Sequence, residues 1–481
     1  MSHRSILAKT LSIALLTLLS GAGFASASGD PESRAGRNIL LITADDLGVQ
    51  LGCYGEDQAR TPHLDKLAEQ GMRFANAYVT QSSCSPSRSS IFTGLYPHQN
   101  GMIGLAHYGR YRMDPDLAVL PHELGEAGYH TGVIGKIHVG PHPDMNWDWR
   151  GMGTRATRDV QAVADQAEEY WNRLDGEEPF FLMVNYFDPH KPLVDQSHGV
   201  PSDPIHPNEV KPFAFLAIDT PGVRQEVAGF LNSTQRLDTG VGLLLEKLAA
   251  ADHAEDTLVI FVGDHGPPMI RAKTTNYESG IRVPFIVRGP QVSETGSVSD
   301  KLISTIDIVP TLADVAGTQW PNAVPGRSLL PLLKNEATSW RQYLFAEYNA
   351  HGPNHYYPRR SVRDARYKLI VNSLHEQENP VGGLSTAAWN ASQQAKRDDT
   401  VVQDAFDRYR NPPAIELYDL HKDPTEMVNL ADKPEYQDVR HRLLRELRDW
   451  QKRTNDFLLG EVDHRRIKQD GLPPENSGSS G

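Results

Sequence analysis

Three apolar segments that lie far apart in the chain each run directly into polar residues. They are Asn38 to Thr43, Phe180 to Tyr186 and Leu258 to Val262. Apolar runs of this length, closed by polar residues, are typical of buried strands. We therefore expect three buried strands whose carboxyl ends carry acids and histidines.

Helix-like segments separate these strands. Thr61 to Gly71 opens with a residue suited to a helix cap and a proline suited to the first turn, and Leu120 to Ala127 and Phe230 to Leu248 follow. Strands that alternate with helices predict an α/β fold with a doubly wound, mostly parallel sheet and helices on both faces. Ligands of such sheets bind beyond the carboxyl ends of the strands, which is where the polar residues fall.

The pattern changes after Pro331, where shorter alternating segments replace the buried runs. We expect a main domain over 36–335 and a smaller C-terminal α+β subdomain with an antiparallel sheet over 340–465. The polar stretch 373–414 predicts a long loop, and the Gly- and Ser-rich tail 470–481 predicts disorder. The expected C-terminal elements are strands at Gln342 to Tyr348, Ser361 to Asn372 and Ile415 to Leu420, and a helix at Tyr436 to Arg453.

Residues 1–27 have a basic start, an apolar run and Ala25-Ser26-Ala27, which is the three-part pattern of a cleaved signal peptide. The apolar run is too short to span a bilayer. We therefore expect a secreted, periplasmic protein with no membrane span. The chain has 48 basic and 61 acidic residues, which argues against nucleic acid as a partner. A pocket for an anionic ligand must then be locally positive.

The chain contains two cysteines, Cys53 and Cys84. In an exported protein one reading is a disulfide between them. The other reading depends on the sequence around the second cysteine, because Cys84 to Gly94 follows the pattern C-x-P-S-R-x-x-x-x-T-G. A second pattern, G-Y-x-T-x-x-x-G-K-x-H, spans Gly128 to His138.

These two patterns, in this order, resemble the two signatures of type I sulfatases. The resemblance implies an alkaline-phosphatase-like fold, a catalytic domain over 36–335, and hydrolysis of sulfate esters or sulfamates. It also implies that a formylglycine-generating or anaerobic maturation enzyme converts Cys84 to formylglycine, which leaves Cys53 unpaired. One hydroxyl of the formylglycine hydrate then attacks sulfur, and the covalent sulfate is eliminated in a second step.

The acids at the strand ends suit a hard metal ion. Asp45, Asp46 and Asp264, with a further donor at His265, form an oxygen-rich set that favours calcium or magnesium. The resemblance to sulfatases assigns these positions, together with the modified Cys84, to one calcium ion. Such an ion neutralises part of the charge of the sulfate and lowers the pKa of the attacking hydroxyl.

The resemblance also assigns roles to basic residues. Lys136 and Lys273 contact sulfate, and Arg88 holds the hydrate and the carboxylates on the metal side. His138 is the base of the elimination step. His190 contacts sulfate and protonates the leaving group, a role that suits a side chain titrating near neutral pH.

Two longer segments, Ser82 to Gly104 and Val133 to Pro141, resemble the N-sulfoglucosamine sulfohydrolase (heparan sulfamidase) branch of that family. In this branch a histidine near His351 lies over the substrate. The expected glycan contacts are His351, His355, Arg359 and His98. Lys273 and His265 stand where the branch carries arginine and asparagine, which leaves N-sulfated and O-sulfated substrates both open.

The sequence thus predicts an exported sulfatase that acts on a sulfated saccharide. One alternative is an O-sulfatase for another glycosaminoglycan or an algal polysaccharide. A second is a phosphohydrolase of the alkaline phosphatase superfamily, although those enzymes generally use serine or threonine and a second metal ion. A third is a non-catalytic glycan-binding protein, and the intact nucleophile and metal positions argue against it.

Overall fold

In a computed structural model of the chain, residues 38–175, 178–337, 339–380, 387–394 and 399–471 are described. The expected signal peptide over 1–27, and the expected tail from residue 472 onward, lie outside the described residues. The described part of the chain contains an eight-stranded sheet and a separate four-stranded sheet.

The larger sheet has the strand order β4-β3-β5-β1-β6-β7-β2-β8. All neighbouring pairs are parallel except those of β7, which runs antiparallel to both β6 and β2. The prediction of a mostly parallel α/β sheet is therefore confirmed. The strands are β1 (Asn38–Ala44), β2 (Met72–Tyr78), β3 (His130–Gly135), β4 (Trp149–Gly153), β5 (Phe180–Tyr186), β6 (Thr257–Gly263), β7 (Phe285–Arg288) and β8 (Ser297–Ser304).

Helices cover both faces of this sheet. Side chains of β1 alternate between two cores, because Leu40 and Ile42 pack with helices α1, α5 and α6 while Ile39 and Leu41 pack with α2, α4 and α8. The helices are α1 (Pro62–Glu69), α2 (Cys84–Thr93), α3 (Pro97–Asn100), α4 (Leu120–Glu126), α5 (Val160–Trp171), α6 (Pro221–Ala250), α7 (Glu278–Ile281), α8 (Ile308–Ala316), α9 (Leu330–Leu333), α10 (Ala387–Gln394), α11 (Thr400–Arg410), α12 (Gln437–Arg453) and α13 (His464–Asp470).

Helix α6 begins nine residues before the predicted start at Phe230. Its first turns contain Pro221, Gly222 and Gly229, and their apolar face consists of Val223, Val227 and Ala228, so the apolar pattern on which the prediction relied is weaker there. The Thr220 side chain accepts a hydrogen bond from the backbone N–H of Val223, and Pro221 occupies the first turn. The cap therefore marks the true start of the helix.

The smaller sheet is antiparallel, with the order β12-β11-β10-β9. Its strands are β9 (Leu344–Tyr348), β10 (Arg359–Arg363), β11 (Tyr367–Asn372) and β12 (Ile415–Asp419). The predicted segment Ser361 to Asn372 is split by a turn, because Asp364 Oδ1 accepts hydrogen bonds from the N–H groups of Arg366 and Tyr367. The division of the chain into domains at 335–340 stays a prediction.

The prediction of a long loop over 373–414 is wrong in its described part, which contains helices α10 and α11. Asp399 caps α11 by accepting hydrogen bonds from the N–H groups of Val401 and Val402. The helix buries Phe406 and Tyr409, and these few apolar positions are hard to recognise among polar neighbours. No helix of the described residues has the length and hydrophobicity needed to cross a membrane.

Candidate active site

Four neighbouring parallel strands, β3, β5, β1 and β6, end at the same edge of the larger sheet. Ala44 pairs with Tyr186 on one side and with Gly263 on the other, and Gly135 pairs with Asn185. The next residues along each strand therefore emerge side by side. They are Lys136 after β3, Asp45 and Asp46 after β1, and Asp264 and His265 after β6.

Cys84 lies at the first position of helix α2, in the middle of these residues. Its Sγ is 3.3 Å from His265 Nε2, 3.5 Å from Lys273 Nζ and 3.9 Å from Asp46 Oδ1. Burial raises the pKa of the Cys84 thiol, but the positive charges of Lys136, Lys273 and His265 outweigh burial and hold the pKa well below its ordinary value. The site therefore favours an anion at this position.

Cys53 and Cys84 are both free cysteines. The disulfide that the sequence allowed is thus absent. Cys53 is half-buried, and burial together with the neighbouring Asp65 raises the pKa of its thiol to about 12. A thiol of such low acidity is inert, which agrees with a structural role for Cys53.

Arg88 lies one helical turn after Cys84, on the same side of α2. It is fully buried, and its Nε donates to Asp264 Oδ2 at 2.9 Å while Nη1 donates to the carbonyl of Lys136 at 2.9 Å. Its Nη2 is 3.8 Å from Asp45 Oδ1 and has no hydrogen-bond partner in the part of the chain that the structure describes. Arg88 thus joins the ends of three strands.

The three strand-end aspartates are fully buried and only partly neutralised. Lys136 Nζ contacts Asp45, and Lys273 Nζ donates to Asp46 Oδ1 at 2.6 Å. The remaining oxygens, Asp45 Oδ1 and Asp46 Oδ2, are buried and have no hydrogen-bond partner among the described residues. Buried carboxylate oxygens are normally bonded, so these two are available to a cation.

The acids differ in their tendency to ionise. Burial opposes ionisation of Asp45, but Lys136 and Arg88 hold the pKa of this carboxyl well below its usual range. Burial raises the pKa of Asp264 to about 7, and the nearby Asp45 contributes. A divalent cation among these oxygens would favour the ionised form of both.

The residues present fit a divalent metal ion. Ligand atoms of Asp45, Cys84, Asp264 and His265 all lie within 4.8 Å of one another. Ligand atoms of a second set, Asp45, Asp46, Cys84 and His190, also lie within 4.8 Å of one another. Oxygen-rich sets of this kind favour calcium or magnesium.

His265 presents one defined nitrogen to the cluster. Its Nδ1 lies 3.0 Å from the carbonyl of Gly266, which only accepts, so Nδ1 carries a proton. Its Nε2 faces Cys84 and is 3.2 Å from Asp46 Oδ1. Burial lowers the pKa of His265, but the carboxylate of Asp264 outweighs it and raises the pKa to about 9.

His190 approaches the cluster from the segment after β5. Its Nδ1 donates to the carbonyl of Lys191 at 2.6 Å, and its Nε2 is 3.9 Å from Asp46 Oδ2. Burial lowers the pKa of His190, but Asp46 and Asp45 outweigh it and raise the pKa to about 9. The two carboxylates thus favour the protonated form of the ring.

The segment that carries His190 is fixed by two arginines that the sequence did not reveal. Both carboxylate oxygens of Asp188 are bonded by Arg236, at 2.6 and 2.9 Å, and Arg158 Nε donates to Oδ1 at 3.0 Å. Arg158 also donates to the carbonyl of His190 at 2.8 Å. Only the Asp188-Pro189-His190 sequence hinted at this arrangement.

His138 is held at the open side of the site. Its backbone is left-handed, with φ of 56°, and its ring stacks on His107 with centroids 5.5 Å apart and planes 6° apart. His138 Nε2 lies 3.2 Å from His107 Nδ1. His107 is exposed, and it lies outside both sequence motifs.

Two of the expected glycan contacts lie close to each other beside Cys84. His351 Nδ1 lies 2.9 Å from the hydroxyl of Ser83, the residue that precedes Cys84. Burial and the nearby Lys273 hold the pKa of His351 well below its ordinary value, so the ring is neutral. The ring of His355 is 6.2 Å from that of His351.

The other two expected contacts are placed differently. Arg359 is buried, its guanidinium lies 4.7 Å from the ring centre of Tyr357, and two of its nitrogens lack a hydrogen-bond partner. No hydrogen bond or ion pair between described residues joins it to the cluster. His98 is not brought into the site, because Nδ1 contacts Glu347 and Nε2 lies 3.1 Å from the carbonyl of Thr454. With both nitrogens bonded inside the protein, His98 has none free for a glycan.

Comparison with known proteins agrees with this geometry. The Sulfatase family model matches residues 37–318, and the model described as N-sulphoglucosamine sulphohydrolase, C-terminal, matches residues 265–380. Human N-sulphoglucosamine sulphohydrolase is 32% identical over 461 residues, covering 87% of this chain and 91% of that protein. An ulvan-active sulfatase of Formosa agariphila is 31% identical over 432 residues, covering 88% and 81%.

Solved structures show the same fold. A protein in complex with its substrate D-glucosamine-2-N,6-O-disulfate has a TM-score of 0.70 and 21% identity, and the match covers 88% of this chain and 99% of that one. A phosphonate monoester hydrolase of Agrobacterium radiobacter has a TM-score of 0.65 and 19% identity, with 87% and 96% covered. At these identities the likeness establishes the fold alone.

Proposed function

Because this chain belongs to the sulfatase family and is a sulfuric ester hydrolase, we propose that it is exported and releases inorganic sulfate from a sulfated saccharide. The observation that carries the proposal is the position of Cys84. It stands at a helix start between Lys273 and His265, beside carboxylate oxygens that have no partner. A nucleophile, a metal site and counter-charges for an anion thus share one place.

The nucleophile is Cys84 after conversion to formylglycine by a maturation enzyme. The hydrated aldehyde supplies a hydroxyl that attacks sulfur and a second one that allows the sulfate to leave. The surrounding charges favour this chemistry, because the same lysines and histidine that stabilise a thiolate at this position also stabilise an alkoxide.

Asp45, Asp46, Asp264 and His265, with the modified Cys84, would hold one calcium ion. When bound, the ion supplies positive charge that offsets the charge of the sulfate and lowers the pKa of the attacking hydroxyl. Arg88 keeps Asp264 in place through its Nε, at 2.9 Å. The carboxylates are thereby oriented before the ion arrives.

Lys136 and Lys273 supply the remaining positive charge. Both are buried, and both reach the cluster from segments outside α2. Ammonium groups are compact point charges, so they suit the oxygens of a sulfate whose orientation changes as sulfur inverts. Burial strengthens this attraction because water does not screen it.

Two histidines move protons. His190 carries a proton that it passes to the oxygen or nitrogen of the departing sugar, which therefore leaves as a neutral group. His138 accepts the proton of the second hydroxyl when sulfate is eliminated. Protons are thus handled on the two sides of Cys84 by separate side chains.

The relatives suggest the class of substrate. One relative is named for N-sulphoglucosamine and another as ulvan-active, and each name refers to a sulfated saccharide. The human relative favours a sulfamate, and the presence of Lys273 and His265 keeps an O-sulfate as the second candidate. Phosphonate monoester hydrolases share the fold at 19% identity, but the match to the Sulfatase family and the two relatives at 31% and 32% identity favour sulfate.

The proposal is tested on protein matured with a formylglycine-generating enzyme. Sulfate release is measured on glucosamine N-sulfate, glucosamine 6-O-sulfate, ulvan oligosaccharides and 4-nitrophenyl sulfate, with a phenyl phosphonate ester as control. Release from at least one saccharide is expected, and mass analysis of the Cys84 peptide should show the aldehyde. Turnover of the phosphonate alone would overturn the proposal.

Export is tested separately. The full chain is expressed in a Gram-negative host, and the protein is recovered from the periplasm and sequenced from its N-terminus. A new N-terminus just after Ala27 is expected. An intact N-terminus in the cytoplasmic fraction would contradict export without affecting the chemistry.

A further inference from the structure

An exposed aromatic side chain stands at the edge of the site. Tyr108 is 44% exposed, and it is the one aromatic among the five exposed large hydrophobic side chains of the described residues. It ends a short 3-10 turn, Ala106–Tyr108, that carries the neighbour of His138. Tyr108 belongs to neither of the two sequence motifs, and it is not one of the charged residues around Cys84.

The ring of Tyr108 is connected to the site from two sides. It packs on His107 with ring centres 4.3 Å apart, and His107 stacks on His138. On the other side it lies against the backbone of Gly352, where an added Cβ would come within 2.8 Å of the ring. Gly352 directly follows His351, and His351 in turn is bonded to Ser83.

These contacts hold the exposed ring in place. The N–H of Leu105 donates to the carbonyl of His351 at 2.9 Å, which ties the turn to the segment that carries Gly352. A glycine at 352 lets the aromatic ring approach the backbone closely. An exposed ring that is already ordered loses little entropy when it binds a ligand.

The charged residues around Cys84 explain how the sulfate group of a substrate binds, but not how its sugar binds. Lys136, Lys273 and the carboxylates are suited to an anion and a metal ion, and they offer no apolar surface to a sugar. The C–H face of a pyranose is apolar, and an exposed aromatic ring with a polar tip suits such a partly apolar, partly wet ligand.

We propose that Tyr108 forms a second saccharide subsite, in which its ring stacks on the sugar unit next to the sulfated one. This inference rests on the proposed function, because it needs a saccharide in the site. It makes the substrate an oligosaccharide rather than a single sugar. Binding energy gained at Tyr108, away from the reacting sulfur, then contributes to turnover of the longer substrate.

The test compares Tyr108→Ala with the matured wild-type enzyme on two pairs of probes. One pair is glucosamine N-sulfate and a heparan sulfate tetrasaccharide that ends in the same unit, and the other is the sulfated monosaccharide of ulvan and an ulvan tetrasaccharide that ends in it. Losing one stacking contact should lower kcat/KM on the cleaved tetrasaccharide by roughly three- to tenfold. The loss on the shorter probe should be smaller.

Two variants keep the outcome interpretable. Tyr108→Trp retains a ring and should keep the preference for the longer probe, and Val298→Ala, on the edge strand β8, removes another exposed side chain and should change neither probe. Equal losses on long and short probes, or none on either, would overturn the subsite while the proposed function stands. Failure of the wild-type enzyme on every saccharide would overturn both.

Binding gives an independent readout. In a Cys84→Ala background, which cannot turn over, calorimetry with the cleaved tetrasaccharide should show a roughly three- to tenfold higher Kd for Tyr108→Ala than for unaltered Tyr108. The same Kd in both proteins would contradict stacking.

Discussion

Two buried arginines, Arg360 and Arg88, show opposite ways of treating charge in the interior. Arg360 donates to both oxygens of Asp456, each at 2.7 Å, and its third nitrogen donates to Asn349 Oδ1 at 2.9 Å. Arg88 makes one bond of 2.9 Å to Asp264, and its Nη2 is left without a partner.

The two arginines differ in role, because Arg360 stabilises the fold and Arg88 belongs to the proposed active site. A bidentate pair such as Arg360 with Asp456 satisfies its own groups, so nothing further is needed there. Around Arg88 the oxygens Asp45 Oδ1 and Asp46 Oδ2 stay unbonded, although leaving buried polar atoms unbonded costs free energy. Around Arg88 the unbonded oxygens belong to two neighbouring carboxylates, which is the arrangement that suits a bound cation.

The largest expected difference concerns Cys84. Cys84→Ala should lower sulfate release by at least about 10^3-fold, because it removes the proposed nucleophile, while thermal unfolding stays close to that of the wild type. Asp456→Asn, in the ion pair with Arg360, should keep most of the activity. Residual turnover near the wild-type rate in Cys84→Ala would remove the distinction between the two clusters.

Arg360→Ala should have the largest effect on folding. It leaves Asp456 buried without a partner, so the free energy of unfolding should fall by about 3–5 kcal/mol in urea titrations. Replacing the whole pair, as Arg360→Met with Asp456→Leu, should recover most of this loss. Equal instability of the single and double variants would show that Arg360 and Asp456 do more than satisfy each other's hydrogen bonds and charge.

The effect of calcium on stability should also differ between the residues around Arg88 and the Arg360–Asp456 pair. Chelation of the matured enzyme should abolish activity, and calcium at 100 times its Kd should raise the free energy of unfolding by about 2.7 kcal/mol. Asp46→Asn should lose this stabilisation, whereas Asp456→Asn should keep it. A calcium response that survives in Asp46→Asn would place the ion elsewhere.

The smallest expected effect lies outside both clusters, at His351. His351→Ala should lower kcat/KM on the cleaved saccharide by about tenfold, equivalent to about 1.4 kcal/mol, and should affect 4-nitrophenyl sulfate less. The comparison of the two substrates in one set of kinetics gives the answer. Equal losses on both would show that His351 does not contact the sugar.

The sequence predicted the part of the site that lies at strand ends. Asp45, Asp46, Asp264 and His265 follow apolar runs whose length is typical of buried strands, and parallel pairing brings the ends of such strands together. The cysteine motif singled out Cys84, the proposed nucleophile. These features depend on local sequence, so they are visible before folding is considered.

Other parts depend on contacts between distant segments. Lys273 reaches Cys84 from a stretch in which Arg271 and Thr274 both adopt left-handed backbone, with φ of 62° and 70°, and no periodicity reveals such turns. Arg236 and His107 are single residues whose roles arise only from tertiary packing. The family resemblance suggests His98 as a glycan contact, and the structural partners that occupy its ring, in β9 and after α12, are too far away in the sequence to be foreseen.

The burial of α2 also decides when Cys84 is open to a modifying enzyme. All ten residues of this helix are buried, and Cys84 itself is 2% exposed. The sulfur is out of reach of an enzyme active site once the chain has adopted this fold, so the proposed conversion to formylglycine would have to take place between synthesis and collapse. Thiol protein that has already folded would have to unfold and start again.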